Sequence, residues 1–174
     1  LVEDGGFRMA WIGWYRPETE ELLPVAVWGD TDNYTQGIKV AVTDTVPEGR
    51  GVSGTAFRTG RTCVHNDLLN HPTSLPWREK LQQQGFQASA AFPIRLSGTV
   101  SGTLNVYADR RDFFHDREIA LLEEAAGDLS FALDNMAREE DRRTAELRVR
   151  NEKLFSDTMI ESMPGVVYFY DVTG

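Results

Sequence analysis

Cysteine, histidine and aspartate at alternate positions are the residues best placed to do chemistry. Cys63, His65 and Asp67 fall in RTCVHNDL, residues 61–68, which reads as a strand. Side chains two apart on a strand share a face. With His71 nearby, these residues offer S, N and O ligands for a metal. Three ligands on one strand splay apart, however, and the spacing matches no standard zinc pattern. Asp67 also sits where it would cap the next turn. Cys63 and His65 could serve as nucleophile and base, but strand rise sets them about 6–7 Å apart, beyond an assured hydrogen bond. The blander reading makes Cys63 a small buried hydrophobe and gives His65 an ordinary hydrogen bond. The carboxylate pairs Glu123–Glu124 and Glu139–Glu140 lie on a helix face, where solvation accounts for them. No catalytic residue, resident metal or cofactor is expected.

A second motif, Gly49-Arg50-Gly51-Val52-Ser53-Gly54, is literally GxGxxG. A dinucleotide site needs a buried strand before it, a full helix after it and an acid about 20 residues on. Here Gly60 ends the helix after barely two turns, and Asp67 comes too soon. The glycines are better read as a tight loop that lets a short helix approach a sheet. The start of that helix could still receive an anionic group.

The elements that must position these residues follow in order. Phe7–Tyr15 and Leu22–Trp28 read as strands around the turn Arg16–Glu20, a hairpin. Residues 34–42 are ambiguous between helix and strand. Gly54–Thr59 reads as a short helix closed by Gly60, followed by the strand at 61–68, a loop at 70–75 and a helix at Trp77–Gln84. Phe86–Ile94 and Ser101–Tyr107 make a second hairpin around a Ser-Gly turn. Hairpins dominate, so the expected class is α+β with a mainly antiparallel sheet.

The stretch from Asp116 to Met163 holds no Pro and one Gly, and is rich in Ala, Leu, Glu and Arg. It reads as one helix, stopped by Pro164-Gly165, roughly 70 Å long if continuous. A heptad seam runs through Ile119, Leu122, Ala126, Leu129, Leu133 and Met136, then turns polar from Glu140, continuing through Arg143, Leu147, Arg150 and Leu154. The first half could instead pack on its own sheet. A weak coiled coil in the second half could shift register between states, as a signal-carrying rod requires.

The net charge of −9 argues against nucleic acid and against an anionic membrane surface as partners. The 41% hydrophobic content is ample for a core. One cysteine excludes an internal disulfide framework. With no signal peptide and no apolar run of membrane-spanning length, a cytoplasmic location is expected. The chain opens without Met and ends in mid-pattern, so it reads as a piece of a longer protein.

Four stretches together resemble a GAF domain: MAWIGWYRPETEELLPVAVWG, PEGRGVSGTAFRTGRTCVHNDLLNHP, LPWREKLQQQGFQASAAFPI and GTLNVYADRRDFFHDREIALLEEAAGDLSFAL. The segment NEKLFSDTMIESMPGVVYFYDVTG is similar to the opening of a PAS domain. The resemblance divides the chain into a sensor domain at 1–137, a signalling helix at 138–163 and a truncated PAS start at 164–174. It implies a six-stranded antiparallel sheet with helices on both faces. It implies a small-molecule pocket touching Trp11, Trp14, Cys63, His65, Trp77, Phe92 and Tyr107, although each aromatic alone is better read as core. It further implies a homodimer through Leu122, Leu129, Leu133, Met136, Leu147 and Leu154. The order GAF, helix, PAS is similar to that of bacterial signalling proteins, two-component systems among them, whose output is a histidine kinase or a cyclic-di-GMP synthase (diguanylate cyclase) or hydrolase.

The family's chemical variants are not expected here. Pigment-bearing members place Cys beside His, whereas Val64 intervenes here. The Asn-Lys…Phe…Asp-Glu pattern of cyclic-nucleotide binders is absent, and sulfoxide reductases of this fold normally use more than one cysteine. The expectation is therefore a non-catalytic sensor module. The alternatives are a structural dimerisation module without ligand and a redox or metal site at Cys63 and His65.

Overall fold

The computed structural model describes residues 6–29 and 33–162. Five strands form one antiparallel sheet among these residues: β1 (Met9–Arg16), β2 (Glu21–Trp28), β3 (Cys63–His65), β4 (Ala88–Leu96) and β5 (Thr99–Ala108), in the order β2-β1-β5-β4-β3. The helices are α1 (Val52–Thr59), α2 (Arg78–Gln84) and α3 (Asp116–Ser162). The β4–β5 hairpin turns at Ser97 and Gly98, both with positive φ (51° and 80°), the combination that matches strand twist in a two-residue turn.

The sixth strand expected from the resemblance is not formed among the described residues. Residues 38–42 run beside the free edge of β2, where Leu22 N–H donates to Val40 O and Val42 N–H to Glu20 O, but only Glu21 and Ala41 pair as in a sheet. The segment's other backbone groups point elsewhere. Ala41 N–H donates to Glu48 O, and Arg58 donates to Val42 O. The stretch 61–68 is likewise a strand only at Cys63–His65, because the chain leaves the sheet at Asn66.

Strand alternation splits the interior into two layers. Ala90, Phe92 and Ile94 of β4, with Leu104 and Val106 of β5, meet Phe113, Phe114, Leu122 and Ala126 on one face. Met9 and Trp11 of β1, with Tyr107 of β5, meet Tyr34, Leu68, Leu81 and Phe86 on the other. Val52 and Ala56 of α1 pack on Ala91, beside Cys63. Helices thus lie on both faces, as expected for this class.

Polar contacts seat the first turns of α3. Thr62 Oγ1 donates to Glu123 (2.6 Å), the Arg95 N–H freed at the β4 bulge donates to Ser130 Oγ (3.0 Å), and Ser97 N–H donates to Asp134 (2.6 Å). One compact unit runs from Leu1 to Asp134 and a second from Asn135 onward. In the second, Met136, Leu147, Val149 and Leu154 are exposed, among the ion pairs Arg142–Glu139, Arg142–Glu146 and Arg148–Glu152. The stretch read as a PAS opening lies, from Met163 on, outside the described residues.

Candidate functional site

Registered pairing lays two rows of side chains across the sheet on the face opposite α3. His65 pairs with Ser89, Ser89 with Tyr107, and Tyr107 with Met9. One step along, Cys63 pairs with Ala91, Ala91 with Asn105, and Asn105 with Trp11. Above the first row lies a cavity of about 30 Å³, its polar side formed by His65, Ser89, Tyr107 and Ser53, its apolar side by Leu81 and Trp77. That volume holds roughly two waters, so anything larger requires a wall to move.

The roof is the GxGxxG segment. A side chain at Gly49 would collide with the Thr43 carbonyl, and one at Gly54 with the carbonyls of Gly49 and Ala41. A Cβ on Gly51 would come within 2.8 Å of the Trp77 ring. The glycines therefore serve close approach, and α1 ends eight residues after it starts, which excludes a dinucleotide fold. Gly51 occupies the helix cap and supplies no side-chain bond, so the N–H groups of the first turn lack an internal acceptor, and Gly51, Val52 and Ser53 line the cavity.

Electrostatics inside are set by burial. His65 is pushed down to about 4, first by desolvation and then by His71, whose ring stacks on it at 3.5 Å. The imidazole is neutral at pH 7. Burial pushes the Tyr107 hydroxyl up, partly offset by interactions with Tyr34 and Trp11. Trp11 Nε1 itself meets no acceptor at full hydrogen-bond geometry. Ser89 is fully buried and its Oγ has no partner. Nearby, Asn105 Nδ2 donates to Thr103 and to the Trp11 carbonyl, leaving Oδ1 unmatched.

Of the residues expected to touch a pocket, His65, Trp77 and Tyr107 line this cavity. Trp11 is buried on the same face of the sheet without lining the cavity, and Cys63 turns toward α1. Trp14 and Phe92 are corrections: they belong to the α3 side of the sheet, because each is one residue out of phase with the cavity rows. Leu122 is also corrected. It is fully buried against its own sheet, with Leu129 and Leu133 packed beside it, and is not free to face a second copy. Tyr34, Ser53 and Ser89 were missed. The Ser89 signal was present, because it lies two residues from Ala91 in a strand otherwise rich in Ala.

Cys63, His65 and Asp67 do not converge. Asp67 pairs with Arg111 (3.2 Å) and its carboxylate accepts from the Asn70 side-chain amide. Burial raises the Cys63 thiol, with Arg58 opposing, so it is held as a thiol rather than a nucleophilic thiolate.

Asn66 ties the cavity strand to the start of α3. Asn66 follows His65, and its side chain donates to Phe114 O and accepts from Phe114 N–H (both 2.9 Å). Its carbonyl accepts from Asp112 N–H (3.0 Å).

The GAF domain family matches residues 1–134. No curated protein matches the chain. Similar solved structures include the GAF domain region of a Geobacter sulfurreducens PCA protein, 27% identical over 76% of this chain and 84% of that one, TM-score 0.58. A domain of a protein described as a two-component sensor histidine kinase from Sinorhizobium meliloti 1021 is 21% identical over 78% and 84%, TM-score 0.61. A free methionine-R-sulfoxide reductase from Neisseria meningitidis, solved with its substrate, is 21% identical over 76% and 71%, TM-score 0.60. At 21% identity the likeness speaks for the fold alone.

Proposed function

The chain belongs to the GAF domain family, and we propose that it is a non-catalytic sensor module that binds a small ligand beneath α1 and relays occupancy through α3. The observation that carries this reading is the cavity with a fully buried, unpartnered hydroxyl, Ser89 Oγ, in its lining. A buried polar atom without a partner costs about 1–3 kcal/mol, which a ligand or an ordered water would recover. The relay follows the chain. A ligand that displaces His65 displaces Asn66, and Asn66 holds the backbone at the start of α3. Beyond Asn135 the exposed Met136, Leu147 and Leu154 supply a seam for a parallel homodimer. The signal then passes to a downstream PAS domain and an output domain, a histidine kinase or a cyclic-di-GMP enzyme. The raised thiol of Cys63 weighs against the redox alternative.

Native mass spectrometry of the freshly purified chain, set against its denatured mass, tests the reading. Extra mass on the folded species supports it. A dimer at the bare protein mass, unchanged by added extracts of small metabolites, favours a structural dimerisation module instead.

A further inference from the structure

The cavity's polar groups include donors that face no fixed anion. The first turn of α1 presents N–H groups that the helix cannot use and that Gly51 does not cap. Ser89 Oγ–H is fully buried without an acceptor. No Asp or Glu lines the cavity, so a cation would find no counter-charge, and no Lys or Arg lines it either, so a doubly charged phosphate would be poorly neutralised. The uncapped first turn and the Ser89 hydroxyl suit at most one negative charge spread over oxygens, with a short hydrocarbon body against Leu68, Leu81 and Trp77. A volume near 30 Å³ limits that body to a few heavy atoms.

We propose that the ligand is the carboxylate of a short organic acid, its oxygens held by the α1 amides and the Ser89 hydroxyl. This rests on the reading of the cavity as a ligand site. Entry requires the cavity wall to move, and Trp77 is part of that wall: its ring covers Gly51 and its Nε1 donates to Lys39 O (3.1 Å). Trp77 is therefore a built-in fluorescent reporter, assignable by its loss in Trp77→Phe.

The test titrates the chain with sodium acetate and sodium pyruvate, using sodium chloride and neutral acetamide as controls. Saturable binding of acetate or pyruvate is expected by calorimetry, together with a change in Trp77 emission, and chloride and acetamide should have no effect. Ser89→Ala should weaken that binding about tenfold or more, the loss of one hydrogen bond to a charged group. Val52→Pro is the second variant. It deletes one first-turn N–H at a position where Pro is tolerated, and should weaken binding similarly. Acetamide binding as well as acetate, or unchanged affinity in both folded variants, overturns the carboxylate and leaves a ligand site of other chemistry. So does extra native mass from a compound that is not an acid. Silence from every compound, with a bare dimer in the mass spectrum, overturns the inference and the ligand reading together.

Discussion

Ser89 and His65 are neighbours on adjacent strands, and each makes a separate prediction. The Ser89 hydroxyl is buried with no partner, so Ser89→Ala should raise stability by about 1 kcal/mol in a urea melt of the ligand-free chain. A loss of that size instead would mean that the hydroxyl is satisfied in solution. His65 titrates near 4 in the folded chain, chiefly through burial and then through His71, against an ordinary 6.5. Between those values the unfolded chain takes up a proton that the folded chain refuses. Stability is therefore full above pH 6.5, falls as pH drops toward 4 and levels off below. Partial exposure of the ring screens the effect to about 1–2 kcal/mol, and His65→Gln should flatten the curve over that interval. Sequence showed that Cys63 and His65 share a face. It did not show that burial leaves one a thiol and the other a neutral ring, because desolvation depends on what packs above the strand.

At the scale of elements, α3 serves two purposes that one heptad pattern cannot separate. Leu122 is fully buried and Leu147 half exposed, although both occupy the same apolar register. Leu122→Ala should cost about 3 kcal/mol in chemical denaturation, and Leu147→Ala should stay within about 0.5 kcal/mol in the monomer. The α1 loop shows the opposite case. Its GxGxxG spacing suggested either a nucleotide cradle or close packing, and the carbonyls of Ala41 and Gly49 against Gly54 leave only the second. Gly54→Ala should therefore destabilise by about 2–3 kcal/mol, with no nucleotide able to restore the melting temperature. Asn66 is the third element-level device. Asn66→Ala strips two hydrogen bonds from Phe114 and should cost about 2 kcal/mol, seen as faster amide exchange at the start of α3.

For the molecule as a whole, the compact unit that ends at Asp134 coincides with the GAF match. The exposed apolar residues Met136, Leu147 and Leu154 all follow that boundary. A chain ending at residue 140 should keep its melting temperature within a few degrees and sediment as a monomer, while the full chain sediments as a dimer. A dimeric truncated chain would move the interface to the first unit, where Val25 and Trp28 of the edge strand β2 are exposed. Among the described residues no helix is long and apolar enough to cross a membrane, in keeping with the absence of any such run in the sequence.

Local patterns along the chain determined the element types and their order. Hairpins announce themselves through Ser97-Gly98 and the turn at 17–20, helix ends through Gly60 and Gly85, and the long helix through its composition, because these signals act between near neighbours in the chain. Tertiary structure decided the faces. Whether Trp14 or Trp11 meets the cavity side depends on strand phase against a register set by distant partners, a one-residue difference that no single strand reveals. The missing sixth strand was decided in the same way, by the Ala41 N–H and Val42 carbonyl, which found partners at Glu48 and Arg58 and left a single bridge to β2.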